Sequence, residues 1–354
     1  MSDEGSGQPD PVVDEPDDKV GAGPGPASSG PPGGRIFSLE GRPAPSLYLI
    51  GWLATAIGLA TIFVGLLADS PSAGSVLVVI GVVVLLLGLA FAAGYQLVAR
   101  ADRPADAYRG PSPLILFGIT FGGTVIASVL LDALVRLDPT MPVGFLVGLI
   151  VTAISFAGTV WLFVVRGGAL SWRQMGWPDW VPPSEGRLLA RLVDDVALAV
   201  TVILPTIVGV SILGGILTGL LGSAAPSVVP AAQTGPDWVV LFLAAAVVAP
   251  IGEEVFFRGF ALTAWWRDLG PRSALIRASF LFALVHILNV QADQGQAGSG
   301  LAQAAIEFAI ILPVGFVLGW LFIRRGIVAS IAGHMTYNGV FLALLLLDQM
   351  RVAT

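Results

Sequence analysis

Ala249-Pro250-Ile251-Gly252-Glu253-Glu254-Val255-Phe256-Phe257-Arg258 lies in the middle of an apolar run from Trp238 to Trp265. About 20 apolar residues suffice to cross a bilayer as a helix. Ionisable groups cost several kcal/mol at that depth and are rare there unless they do a job. The stretch therefore predicts both a membrane-spanning helix and a polar site built into it.

Two further polar motifs follow, and they hold the only 2 histidines of the 354-residue chain. His286 ends Phe282-Ala283-Leu284-Val285-His286, and His334 opens His334-Met335-Thr336-Tyr337-Asn338. Within each motif the spacing is i, i+4, so Glu254 and Arg258 share a helix face, as do Phe282 and His286, and His334 and Asn338. Glu253 points about 100° away from Glu254. One carboxylate can thus be neutralised by Arg258 while the other stays free for chemistry.

Composition sets the solvent. The chain is 55% hydrophobic and 12% charged, with a mean hydropathy of +0.84, whereas a soluble domain carries roughly 25% charged residues. The fold expected is all-α, a polytopic transmembrane bundle. With 0 cysteines, disulfides, thiolate metal sites and cysteine nucleophiles are excluded. The net charge of -6 owes much to Asp3, Glu4, Asp10, Asp14, Glu15, Asp17 and Asp18. The remaining charge is nearly balanced, so no nucleic-acid partner is implied. Residues 1–45 are rich in Gly, Pro, Ser and Asp. They read as a disordered acidic tail with no signal-peptide pattern.

About nine apolar segments are long enough to span: Leu47–Ala68, Ser75–Val98, Leu114–Leu134, Val143–Val165, Val196–Leu221, Trp238–Trp265, Ala274–Val290, Leu301–Ile323 and Ile327–Leu347. The seventh is short and carries Arg277 near its start. Residues 46–166 thus form four apolar helices, 167–195 a connection, and 196–347 a more polar core. Arginines cluster in alternate connections: Arg35 and Arg42; Arg100, Arg103 and Arg109; Arg166, Arg173, Arg187 and Arg191; Arg267 and Arg272; Arg324 and Arg325. The positive-inside rule then predicts a cytoplasmic N-terminus and an external C-terminus. The connection at 167–195 holds Trp172, Trp177 and Trp180 with Pro178, Pro182 and Pro183, and reads as an amphipathic stretch at headgroup level.

This topology brings the three motifs to overlapping depth. Glu253 precedes Arg267 by 14 residues and His286 follows Arg272 by 14, each about 21 Å from the cytoplasmic end. His334 and Asn338 follow Arg325 by 9 and 13 residues, about 14 and 20 Å in.

The order Glu-Glu-x-x-x-Arg, Phe-x-x-x-His, His-x-x-x-Asn on successive membrane helices resembles the CPBP family. This is the CAAX-protease and bacteriocin-processing, or Abi, group of intramembrane endopeptidases. The resemblance covers roughly residues 195–347. It implies that Glu253 is the general base activating a water, that His286 helps to hold that water, and that His334 and Asn338 donate to the oxyanion. It also implies that Glu254 is locked by Arg258 and that Phe282 packs the site. Elementary chemistry agrees: amide hydrolysis needs a base tuned toward neutrality and donors aimed at the oxyanion. The markers of a covalent serine or cysteine route are absent.

Three functions are distinguishable. The first is an endopeptidase acting on a peptide or membrane-protein segment, without a cofactor. A zinc variant would use His286, His334 and a glutamate as ligands, although the chain has no His-Glu-x-x-His. The second is a proton-coupled transporter using Glu253, Glu254, His286 and Glu307; its usual repeated halves are not seen. The third is a silent scaffold. Outside the motifs, Glu307 reads as structural or cavity-lining and Asp194-Asp195 as interfacial. Gly315-x-x-x-Gly319 reads as a close helix contact, and Pro250 and Pro313 as kinks. Gly-, Ala- and Arg-rich usage with the single Lys19 points to a bacterial plasma membrane.

Overall fold

A computed structural model describes residues 43–66, 68, 71–99, 107–138, 140–178, 185–224, 229–287 and 299–352. The expected tail falls almost wholly on residues 1–42, outside the described residues. All the expected segments are helical. They are α1 (Pro45–Leu66), α2 (Pro71–Ala99), α3 (Pro113–Val135), α4 (Pro142–Val160, prolonged by a π turn Trp161–Val165), α5 (Glu185–Leu221), α6 (Gly235–Leu269), α7 (Pro271–His286), α8 (Ser299–Arg325) and α9 (Ile327–Val352). Strands do not occur among the described residues.

Seven of these helices, namely α1, α2, α4, α5, α6, α8 and α9, are long and apolar enough to cross a membrane. Of the two others, α3 runs 23 residues, Pro113–Val135, as expected from the sequence, and its stretch Pro113–Thr124 is apolar. α7 has only 16 residues, about 24 Å of helix against a hydrocarbon core of about 30 Å. α5 begins at Glu185, well before the apolar run starts at Val196, because the intervening Leu, Ala and Arg residues are good helix formers.

α1 and α2 form a hairpin held by glycines at seven-residue spacing: Gly51, Gly58 and Gly65 on one helix, Gly74, Gly81 and Gly88 on the other. The backbones approach so closely that a Cβ on Gly51 would stand 2.9 Å from Ala92 N, one on Gly65 2.8 Å from Gly74 O, and one on Gly81 2.7 Å from Ile62 N. In lipid there is little hydrophobic drive between helices, so such small-residue contact supplies the packing.

The main core joins α3, α4, α6, α7 and α8. Phe156 of α4 packs on Phe256 of α6 at 5.1 Å between ring centroids, and Phe257 meets Phe282 of α7 edge-on at 5.3 Å. A Cβ on Gly252 would lie 2.6 Å from Ala153 Cα, so α4 rests directly against the backbone of the Glu253-Glu254 turn. The expected Gly315-x-x-x-Gly319 contact is present: a Cβ on Gly319 would meet Leu275 at 2.5 Å, and one on Gly315 would meet Ser279 at 3.3 Å.

The connection after α4 is fastened to the α8–α9 turn. Trp172 and Trp177 pair edge-on at 5.9 Å and are partly buried against the core. Trp180, Pro182 and Pro183 lie outside the described residues. Ile327 N donates to Gly176 O at 3.1 Å. Gly326, at φ 88°, brings its Cα side so near that a Cβ would sit 2.7 Å from the same oxygen. This clasp sets where α9 begins, and therefore where its polar face lies.

Candidate active site

α6 carries the carboxylates on an irregular helix. Its start is fixed by a reciprocal cap, with Thr234 accepting from Asp237 N and the Asp237 carboxylate accepting from Thr234 N. Two π-helical segments, Phe242–Val248 and Val255–Leu262, flank the short α-helical turn Ala249–Glu254. Such insertions recur at functional sites because the wider turn redirects side chains and carbonyls. The helix runs through Pro250, where Ala249 N bonds Ala244 O in the wider register, so the absent N–H of proline is accommodated. Pro313 lies inside the continuous α8.

Glu254 and Arg258 are fully buried. Arg258 Nη1 donates to Glu254 Oε1 at 2.8 Å and Nη2 to Gly315 O at 3.4 Å. The guanidinium also lies over the Phe282 ring, 4.0 Å from its centroid. Two donors from α9 complete the carboxylate. His334 Nδ1 stands 2.9 Å from Glu254 Oε1, and Ser330 Oγ donates to Oε2. A carboxylate paired with a guanidinium accepts only, so the proton of that histidine contact resides on Nδ1.

Glu253 is placed differently. Its Oε2 has no hydrogen-bond partner among the described residues. It stands 3.9 Å from both His286 Nε2 and His334 Nε2. His286 Nδ1 lies 2.7 Å from Phe282 O; a carbonyl only accepts, so Nδ1 again carries the proton. Each ring thus turns its Nε2 toward Glu253. Phe282 lies between them, with centroids 4.5 Å from His286 and 5.6 Å from His334.

The structure therefore brings Glu253, Glu254, Arg258, Phe282, His286 and His334 into one cluster. Asn338 is two helical turns beyond Ser330 on the same face of α9, and its Nδ2 donates to Ala245 O at 2.7 Å. That carbonyl belongs to the first π segment of α6. An amide nitrogen has two protons, and one remains available. The sequence reading missed Ser330, although Ser330-x-x-x-His334-x-x-x-Asn338 forms a single stripe that spacing could have revealed. It also missed the Gly315 carbonyl, which side-chain patterning does not report.

The donor set bears on zinc. Two imidazole nitrogens and a carboxylate are suitable ligand types. Tetrahedral zinc with bonds of about 2.0–2.1 Å sets its ligand atoms about 3.4 Å apart. Both separations from Glu253 are 3.9 Å, and the described residues contain no group of three side chains spaced to hold a metal ion. The arrangement does not fit a zinc centre as it stands.

Residues 235–340 match the family model described as Rce1-like, Type II CAAX prenyl endopeptidase. The matched CAAX-protease segment begins at the first residue of α6 and ends two residues after Asn338, so it contains every residue of the cluster. It agrees with the resemblance carried by the three motifs. No curated protein and no solved structure matches the chain. The chain is a multi-pass membrane protein, and the match of residues 235–340 to the CAAX-protease model supports an intramembrane endopeptidase.

Proposed function

We propose that this protein hydrolyses a peptide bond within the membrane by a water that Glu253 activates. The observation that carries this reading is the division of labour between adjacent carboxylates. Glu254 is saturated by Arg258, Ser330 and His334, whereas Glu253 Oε2 is unpartnered and faced by two imidazole nitrogens. Separations of 3.9 Å are too long for direct hydrogen bonds and suit a bridging water.

In the reaction, that water gives a proton to Glu253 while its oxygen bonds to the scissile carbonyl carbon. His286 Nε2 accepts the water's other proton in a hydrogen bond and orients it. The oxyanion is met by Asn338 through its remaining N–H and by His334 when a proton is held on Nε2, a charge that Glu254 at Nδ1 stabilises. Glu253 then passes the proton to the leaving nitrogen as the C–N bond breaks, giving a carboxylic acid and an amine. No metal takes part. The substrate is a peptide or membrane-protein segment. The N-terminus is cytoplasmic and the membrane a bacterial plasma membrane.

The test is cleavage of a broad peptide library by purified protein in detergent, with Glu253→Ala as the control. Cleavage lost in the variant and unchanged by chelator is expected. Loss on chelation with stoichiometric zinc would replace the metal-free mechanism. Uptake of a solute by reconstituted vesicles without cleavage would favour the transporter.

A further inference from the structure

The mechanism leaves one intramembrane carboxylate unused. Glu307 lies in α8, and no hydrogen bond or ion pair to it occurs among the described residues. One turn earlier on the same face stands Gln303, which is 8% exposed and whose Oε1 is buried without a partner. Tyr337 of α9 belongs to a buried cluster against which Ile310 of α8, three residues after Glu307, also packs. Tyr337 is itself three residues from His334. A buried unpartnered amide oxygen, a half-buried unpaired carboxylate and a phenol thus fall on neighbouring stretches of α8 and α9.

Its charge is also unbalanced. Between their charged ends, α6, α7, α8 and α9 hold Glu253, Glu254 and Glu307 against Arg258 and Arg277, and Arg277 precedes His286 by nine residues, about 13 Å along α7. Arg258 is committed to Glu254. Carboxylates withdrawn from water are stabilised when a counter-charge or donor meets them, and a peptide substrate can bring one.

We propose that Gln303, Glu307 and Tyr337 form a specificity subsite that takes a basic side chain, Lys or Arg, of the peptide substrate. The ammonium or guanidinium donates to Glu307 and Gln303 Oε1 while the Tyr337 hydroxyl closes the side toward His334. Glu307 precedes Gly315, whose carbonyl meets Arg258, by eight residues, about 12 Å along the helix. An extended peptide advances about 3.3 Å per residue, so the basic residue lies no more than about four residues from the scissile bond. This subsite rests on the endopeptidase reading.

The experiment uses a positional library of twelve-residue peptides on an Ala/Leu background, each position in turn carrying Lys, norleucine or Glu. Wild-type protein is expected to cleave the Lys members about tenfold or more faster in kcat/KM than the norleucine members at one position, mainly through KM. In Glu307→Gln that ratio falls toward one, and in Glu307→Lys the Glu members become preferred. A residue that only supports the fold would lower all rates together and leave the ratio intact; that outcome, or no Lys preference in wild type, overturns the proposal. If wild type cleaves nothing, the endopeptidase reading fails separately. Binding of the Lys and norleucine peptides to the Glu253→Gln protein then decides the subsite: equal affinities at every position overturn it.

Discussion

His334 Nδ1 lies 2.9 Å from Glu254 Oε1, and this contact turns the other ring nitrogen toward Glu253. Glu254 is thereby a positioning residue. Its oxygens hold α6 to α9 through His334 and Ser330, and its charge answers Arg258. Glu254→Ala strands a buried guanidinium, so a destabilisation of about 3–5 kcal/mol is expected. Thermal unfolding in detergent checks this; a melting temperature unchanged from wild type would show that the network is not structural.

His286 faces the same Glu253 oxygen through Nε2, with Nδ1 occupied by Phe282 O. His286→Ala removes the acceptor that orients the water and is expected to lower kcat by about 10²–10³-fold. Steady-state kinetics on any cleaved peptide measure it. A rise in KM with kcat intact would assign His286 to substrate binding instead.

The α1–α2 hairpin depends on its glycines. A Cβ on Gly58 would stand 2.7 Å from Leu85 Cα, too close without separating the helices. Gly58→Leu is expected to destabilise the protein by about 1–3 kcal/mol or more, read as a lowered melting temperature. Turnover per folded molecule is expected to hold, because α6 to α9 carry the chemistry.

Gly326 tests the clasp that starts α9. Its φ of 88° costs a side-chain-bearing residue about 1–2 kcal/mol, and the Cβ would also press on Gly176 O, 2.7 Å away. Gly326→Ala is expected to lower both stability and kcat, since Ser330 and His334 are set by where the helix begins. Wild-type kcat in this variant would uncouple the clasp from the site.

Much of this was legible in the sequence because bilayer physics is restrictive. The motif order, the shared depth and the Glu254–Arg258 pairing follow from rise per residue and i, i+4 spacing, and each is found where expected. The π segments around Glu253 were not legible, since the helix repeat alone does not disclose an i→i−5 register. The zipper of Gly51, Gly58, Gly65, Gly74, Gly81 and Gly88 was visible as a seven-residue period but submerged among 44 glycines. The pairing of Trp172 with Trp177 and their packing on the core are tertiary contacts that composition does not report.

The central claim is that two neighbouring carboxylates do different work. It is tested most directly by the rate of peptide cleavage per folded molecule in Glu253→Gln. Replacing the acid by its amide keeps the shape and removes the base. A loss of at least about 10²-fold is expected, with a melting temperature at or above that of wild type. Cleavage within tenfold of wild type would contradict the assignment of Glu253 as the base.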